Sequence, residues 1–256
     1  MPRREPARGF GGARGSDNPM PDLLLLGGGH SHLAVLAAAR HWPPSHRVTL
    51  VSPGPKTAYS GMVPGVIAGH YPADACLIDV ERLSLCARAR FICASAVALD
   101  PVRRTVRLHS GDTLGYDLVS IDVGATPRVS NDLVAAIEAG QCGELTVVPC
   151  KPFGLLIRRI GLFLADDNPR VSPLDVAVVG AGIAGIEVAL ALAHRLGDRT
   201  DASVRLLADG DRIASNQSAA VCAALERACA DLGVEVIDHA RVVALEPPGH
   251  LVLADG

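Results

Sequence analysis

Two spacings of apolar residues alternate along the chain, short unbroken runs that read as strands and longer stretches spaced for one face of a helix. Leu23-Leu24-Leu25-Leu26 is such a run, preceded by Asp22 and ending at Gly27-Gly28-Gly29. Strands covered on both faces have this composition in parallel sheets. Ser31 to His41 sets Leu33, Leu36 and Ala37 on one helical face and stops at Pro43-Pro44, which cannot continue a helix. Arg47 to Val51 is the next strand. Strand, glycine turn, helix and strand make a βαβ unit.

Ala58 to Ala75 is rich in Gly and Pro and predicts loop or short helix. The alternating runs Phe91 to Leu99, Thr105 to His109 and Leu118 to Ile121, with a turn at Ser110-Gly111-Asp112, predict an antiparallel meander beside the parallel sheet. Asn131 to Gly140 and Pro152 to Leu164 predict helices, and Asp166 to Pro173 is a polar break. A second βαβ pattern follows: strand Asp175 to Val179, a turn from Gly180 to Gly185, helix Ile186 to Leu196 and strand Ser203 to Leu207. Gln217 to Leu232 predicts a further helix; Val234 to Ile237, Arg241 to Leu245 and Leu251 to Leu253 predict strands. One plan starts twice, roughly 150 residues apart. The predicted class is α/β with two Rossmann-like folds and a β-meander, the first fold over residues 21–149 and the second over 150–256.

Composition narrows the function. Of 256 residues 49% are hydrophobic, which excludes a disordered polymer. A net charge of −3 with one Trp, three Tyr and four Phe lacks the basic grooves and stacking rings of a nucleic-acid platform. The richest apolar stretch, Val176 to Ala193, carries Glu187 and three glycines and reads as buried core rather than a membrane span. None of the seven cysteines forms a C-x-x-C pair, which excludes a zinc ribbon and fits a reducing cytoplasm. Residues 1–20 are rich in Arg, Gly and Pro with no apolar stretch behind Arg3-Arg4, and predict a disordered tail rather than a signal peptide.

The glycine turns carry the candidate chemistry. A helix N-terminus offers unpaired N–H donors and the positive end of a dipole to a pyrophosphate. Glycines let the backbone approach it without a Cβ in the way. Gly180-x-Gly182-x-x-Gly185 meets every positional requirement between a strand and a helix. The first turn has Gly27 and Gly29 but places His32 where the third glycine belongs, so its helix must pack differently; His30, Ser31 or His32 can donate to a phosphate there. A metal on His30 and His32 lacks a third ligand at suitable spacing.

The acid that usually binds ribose at the end of the second strand is replaced by Ser52 in the first half and by Ala208, followed by Asp209, in the second. Asp209 tilts the choice toward the non-phosphorylated nicotinamide cofactor and reads equally well as a solvated loop acid. Cys150, just before Lys151-Pro152, is either a thiol poised near a cation or an incidental buried cysteine.

Two glycine turns, the meander and Gly124-Ala125-Thr126-Pro127 together resemble the two-dinucleotide-fold flavoproteins, which include pyridine nucleotide-disulfide oxidoreductases and type II NADH dehydrogenases. The strings Leu25-Leu26-Gly27-Gly28-Gly29-His30-Ser31-His32, Tyr59-Ser60-Gly61-Met62-Val63-Pro64-Gly65 and Gly69-His70-Tyr71 resemble a bacterial branch fused to or encoded beside selenide, water dikinase. The resemblance implies FAD on the first fold, held by Gly27, Gly29, His30, Ser31, His32 and Ser52, with the Val97 backbone against adenine and Gly124-Ala125 near the flavin. It implies NADH or NADPH on the second, held by Gly180, Gly182, Ile183, Gly185 and Glu187.

The implied reaction passes hydride from nicotinamide to flavin and electrons on to a quinone, a selenium species or a small carrier, without a catalytic side chain. The resemblance further implies a link to selenide, water dikinase and leaves membrane contact open. The family's Ala-Thr-Gly reads Asp122-Val123-Gly124 here. The chain also stops at Leu253-Ala254-Asp255-Gly256, inside a predicted hairpin, so the resemblance implies a truncated chain with an incomplete second fold and C-terminal segment. The alternatives are a sulfide:quinone-type oxidoreductase using a cysteine and a truncated, non-catalytic nucleotide-binding module.

Overall fold

The computed structural model describes residues 22–254 apart from 44–46, 127–128, 130, 143–144, 165–172 and 198. The predicted disordered tail, Pro127, most of the polar break and the last two residues lie outside the described residues. The chain divides into two compact units, one holding residues up to Thr57 with Ile78–Gly124, the other Ala58–Leu77 with residues from Ala125 on. Compactness thus groups 58–77 and 125–149 with the second unit, whereas the sequence pattern groups them with the first turn.

In the first unit a parallel sheet runs in the order Arg90–Cys93, Arg47–Ser52, Asp22–Leu26, Leu118–Ile121. Alternate residues of its strands serve two cores, which is why the sequence there is continuously apolar. Leu25 and Leu50 pack with Leu36 of the helix His30–Ala39 and Val80 of the helix Val80–Cys86. Leu24, Leu26 and Val51 pack on the opposite side with Val106, Leu108 and Tyr116.

Three expectations change here. Phe91 to Leu99 is two strands, Arg90–Cys93 in the parallel sheet and Ala96–Asp100 in the meander. Leu118–Ile121 leaves the meander and pairs parallel with Asp22–Leu26, because alternation alone does not choose between parallel and antiparallel partners. The meander is completed instead by Thr113–Gly115, antiparallel to Thr105–Leu108. The helix Val80–Cys86 was not expected; it starts where the Asp79 carboxylate accepts from the Arg82 N–H at 2.8 Å, an N-cap.

The second unit has the parallel order Leu174–Val179, Ala202–Leu207, Glu235–Ile237, with helices Ile183–Leu196 and Ala219–Asp231. Its first helix starts at Ile183, three residues before the expected Ile186, because Gly182 is already the N-cap. Ile186, Ala189 and Leu206 are sealed in its core beside Leu156 of the helix Phe153–Phe163 and Val63 and Ile67 of the short helix Val63–Ile67. The Gly/Pro-rich string from Tyr59 is therefore core material for this unit. An antiparallel hairpin, Val242–Glu246 with His250–Leu253, follows.

Candidate functional site

Both glycine turns sit between the first strand of a parallel sheet and the helix that follows, and in both the first glycine takes a left-handed backbone, φ +93° at Gly27 and +101° at Gly180. A side chain is strained there. In each turn the third residue of the motif caps the helix: Gly29 precedes His30–Ala39 and Gly182 precedes Ile183–Leu196, neither with a side-chain capping bond and neither helix with an acid in its first turn. The sequence thus leaves the first N–H groups of both helices without a local partner.

In the second turn a Cβ on Gly185 would run into the Gly180 carbonyl, so only glycine permits this contact between helix and turn. Among the described residues, chain neighbours aside, no atom lies within 4 Å of the place a Cβ would take on Gly182. Backbone donors and open space together fit a pyrophosphate. Ile183 and Glu187 are exposed on the helix, and Asp209 is exposed beyond the strand Ala202–Leu207, while Ala208 at the expected ribose position is buried.

The first turn solves the same contact differently. His32 is fully buried. Its Nδ1 lies 2.6 Å from the Gly27 carbonyl and its Nε2 2.9 Å from the Ser120 hydroxyl. A carbonyl only accepts, so Nδ1 carries a proton, and in the neutral ring Nε2 accepts from the Ser120 hydroxyl. With both ring nitrogens taken, His32 has none left for a phosphate, and the expectation that it donates to one is corrected: it is a structural bridge from the turn to the strand Leu118–Ile121. Its ring reaches the same carbonyl, the first glycine's, that Gly185 meets by close packing in the second turn.

In the sequence Asp122 stands out only as a departure from a family string. It follows Leu118–Ile121, and its N–H donates to the Leu26 carbonyl at 2.8 Å. A Cβ on Gly27 would meet its backbone carbonyl, and a Cβ on Gly29 its carboxylate. Oδ2 of that carboxylate accepts from the Ser31 N–H at 2.9 Å. An acid 91 residues away thus supplies the negative charge that the helix lacks locally. The glycines of this turn fit a dinucleotide in backbone geometry, and Asp122 lies over them.

Ser52 is buried at the end of the second strand, beneath Gly28, where a Cβ would stand 3.4 Å from its hydroxyl. Val97 falls at a register shift between Ala96 and Ala98, a bulge that leaves it outside regular pairing. Gly124 has φ +74° and, among the described residues and chain neighbours aside, no atom within 4 Å of its Cβ position; Ala125 is exposed. Cys150 is half-buried, and burial pushes its thiol up from the ordinary value, away from a poised thiolate. Lys151 instead lies 5.7 Å from the Phe153 ring centre. Among the described residues no group of three or more His, Cys, Asp or Glu is placed to hold a metal, and no helix is long and apolar enough to cross a membrane.

No curated protein matches the chain in sequence. Solved structures match it in fold. The sulfide:quinone oxidoreductase of Aquifex aeolicus superposes with TM-score 0.66 at 20% identity, covering 88% of this chain and 52% of its own. The putidaredoxin reductase of a covalent complex with putidaredoxin gives 0.69 at 19%, covering 93% and 56%. NDH2 of Plasmodium falciparum in complex with NADH gives 0.69 at 16%, covering 88% and 49%. The chain thus spans about half the length of these proteins. The sequence profile of pyridine nucleotide-disulphide oxidoreductases matches residues 21–256, and the chain belongs to that family.

Proposed function

We propose that this chain provides the two nucleotide sites of an FAD-dependent NAD(P)H oxidoreductase that delivers electrons to a quinone or a small carrier. The observation that carries the reading is the second turn: a left-handed Gly180, an open Gly182 and a Gly185 pressed on the Gly180 carbonyl, all at one helix N-terminus. There the nicotinamide nucleotide is held by the backbone of Gly180, Gly182 and Ile183, with Glu187 along the helix and Asp209 toward the ribose. FAD belongs to Gly27, Gly29, His30, Ser31 and Ser52, with Val97 at the adenine and Gly124-Ala125 at the flavin. The flavin, when bound, takes hydride from the nicotinamide and supplies the redox chemistry. The chain's own residues bind and orient, and none is assigned as an acid, base or nucleophile.

The choice of acceptor is supported by neighbours of this fold, one a sulfide:quinone oxidoreductase and one joined to putidaredoxin. A place beside selenide, water dikinase is supported by the strings Tyr59–Gly65 and Gly69-His70-Tyr71, and a cytoplasmic location by seven unpaired cysteines. A sulfide-oxidising role would need a reactive thiol, and burial pushes the Cys150 thiol up, away from the thiolate such a role would use. A second reading, nucleotide binding at the second turn without flavin at the first, has one observation in its favour, the Asp122 carboxylate over Gly29.

The test is the visible absorption spectrum of the purified chain, reconstituted with FAD, before and after anaerobic NADH. A bound yellow flavin that bleaches is the expected result. An absence of bound flavin, with NADH still bound, would leave the second reading.

A further inference from the structure

We propose that the Asp122 carboxylate is a built-in occupant of the first turn's phosphate position, and that a dinucleotide must displace it before its pyrophosphate reaches the helix. The inference rests on the reading of the first turn as the FAD site.

The helix His30–Ala39 has a glycine N-cap and no acid of its own in its first turn. The Ser31 N–H sits at a position that a capping side chain usually satisfies. Asp122 does so from another strand, at 2.9 Å, with its carboxylate lying on Gly29 where a Cβ would otherwise go. A pyrophosphate approaching through the glycines needs that volume and those donors, and it carries the same sign of charge. The carboxylate and the phosphate cannot share the position, so one replaces the other.

The second turn shows what the arrangement is without such an acid. Its helix likewise has a glycine N-cap, no capping side chain and no acid in the first turn, and the space over Gly182 is open. The difference has a topological cause. In the first unit the strand Leu118–Ile121 flanks Asp22–Leu26, and its next residue, Asp122, emerges over the turn. In the second unit Leu174–Val179 is the edge strand among the described residues, and no described strand on that side delivers a residue to that place.

Asp122→Asn keeps the size of the side chain and removes its charge, and Asp122→Ala removes both; neither alters the backbone packed against Gly27. The experiment uses the full 256-residue chain, isotope-labelled, as wild type and as the two variants. Inorganic pyrophosphate is added while the Ser31 amide resonance is followed, and FAD affinity is measured separately by quenching of flavin fluorescence. The Ser31 amide is expected to stay in place in the wild type and to move in both variants, and FAD is expected to bind about tenfold tighter to the variants. Equal movement of the Ser31 amide in wild type and variants, or FAD affinity unchanged or weakened by the substitutions, overturns the proposal. If FAD binds to none of the three proteins, the flavin reading of this turn fails, and the pyrophosphate comparison alone still decides the role of Asp122.

Discussion

The two glycine turns start from nearly the same backbone and end in opposite states. Each opens with a left-handed glycine and each caps its helix with a glycine. In the second, Gly185 packs directly on the Gly180 carbonyl and the space over Gly182 is free. In the first, an imidazole reaches the Gly27 carbonyl by hydrogen bond and a carboxylate covers Gly29. What differs is the company each turn keeps: a flanking strand supplies Ser120 to His32 and Asp122 to Ser31. The glycine motif therefore specifies the shape of a phosphate site, and in the first turn the flanking strand brings in the acid that covers it.

The substitutions that break this contrast differ in the size of their effects. Gly185→Ala drives a Cβ into the Gly180 carbonyl and should weaken NADH binding about a hundredfold, ~2.7 kcal/mol, as read by calorimetric titration; affinity within threefold of wild type would remove the second turn from the account. His32→Ala empties a buried ring site and orphans the Gly27 carbonyl and the Ser120 hydroxyl, so denaturant unfolding should show a loss of about 2–4 kcal/mol. His32→Gly should be no better, because the first turn is built around the ring and not around the missing glycine.

A smaller, sharper pair is Gly29→Ala against Gly182→Ala. The former meets the Asp122 carboxylate and should cost about 1–2 kcal/mol in thermal unfolding. The latter meets none of the described residues beyond its chain neighbours and should leave stability within about 0.5–1 kcal/mol, chiefly the glycine-to-alanine effect on the unfolded chain, while weakening NADH. Equal destabilisation by the two would erase the contrast. The smallest effect concerns Cys150. Burial raises its pKa, so the thiol stays protonated to higher pH than an ordinary one, and iodoacetamide should modify it more slowly than glutathione at pH about 8. Faster modification would revive a thiol-based reaction.

Much of this was legible in the sequence, and the exceptions have physical reasons. Leu23 to Leu26 announces a strand covered on both faces, and the spacing from Gly180 to Gly185 announces its turn, because both depend on residues close together in the chain. Leu118–Ile121 carries a strand's composition without saying which strand it will join. The helix Val80–Cys86 is too short for its periodicity to stand out, and its signal was the Asp79 cap. His32 looked like a lost glycine because its explanation, Ser120, lies 88 residues downstream. Asp122 was visible as an irregular letter in a family string, but only the parallel pairing of its strand brings it over Gly29.

The contrast between the turns is tested most directly with ADP, the half that FAD and NADH share. Added to the isotope-labelled wild-type chain, ADP should shift the Gly182 and Ile183 amides at concentrations that leave Gly29 and Ser31 in place. Shifts at Gly29 and Ser31 at equal or lower concentrations would contradict the account, for the first turn would then be as open as the second.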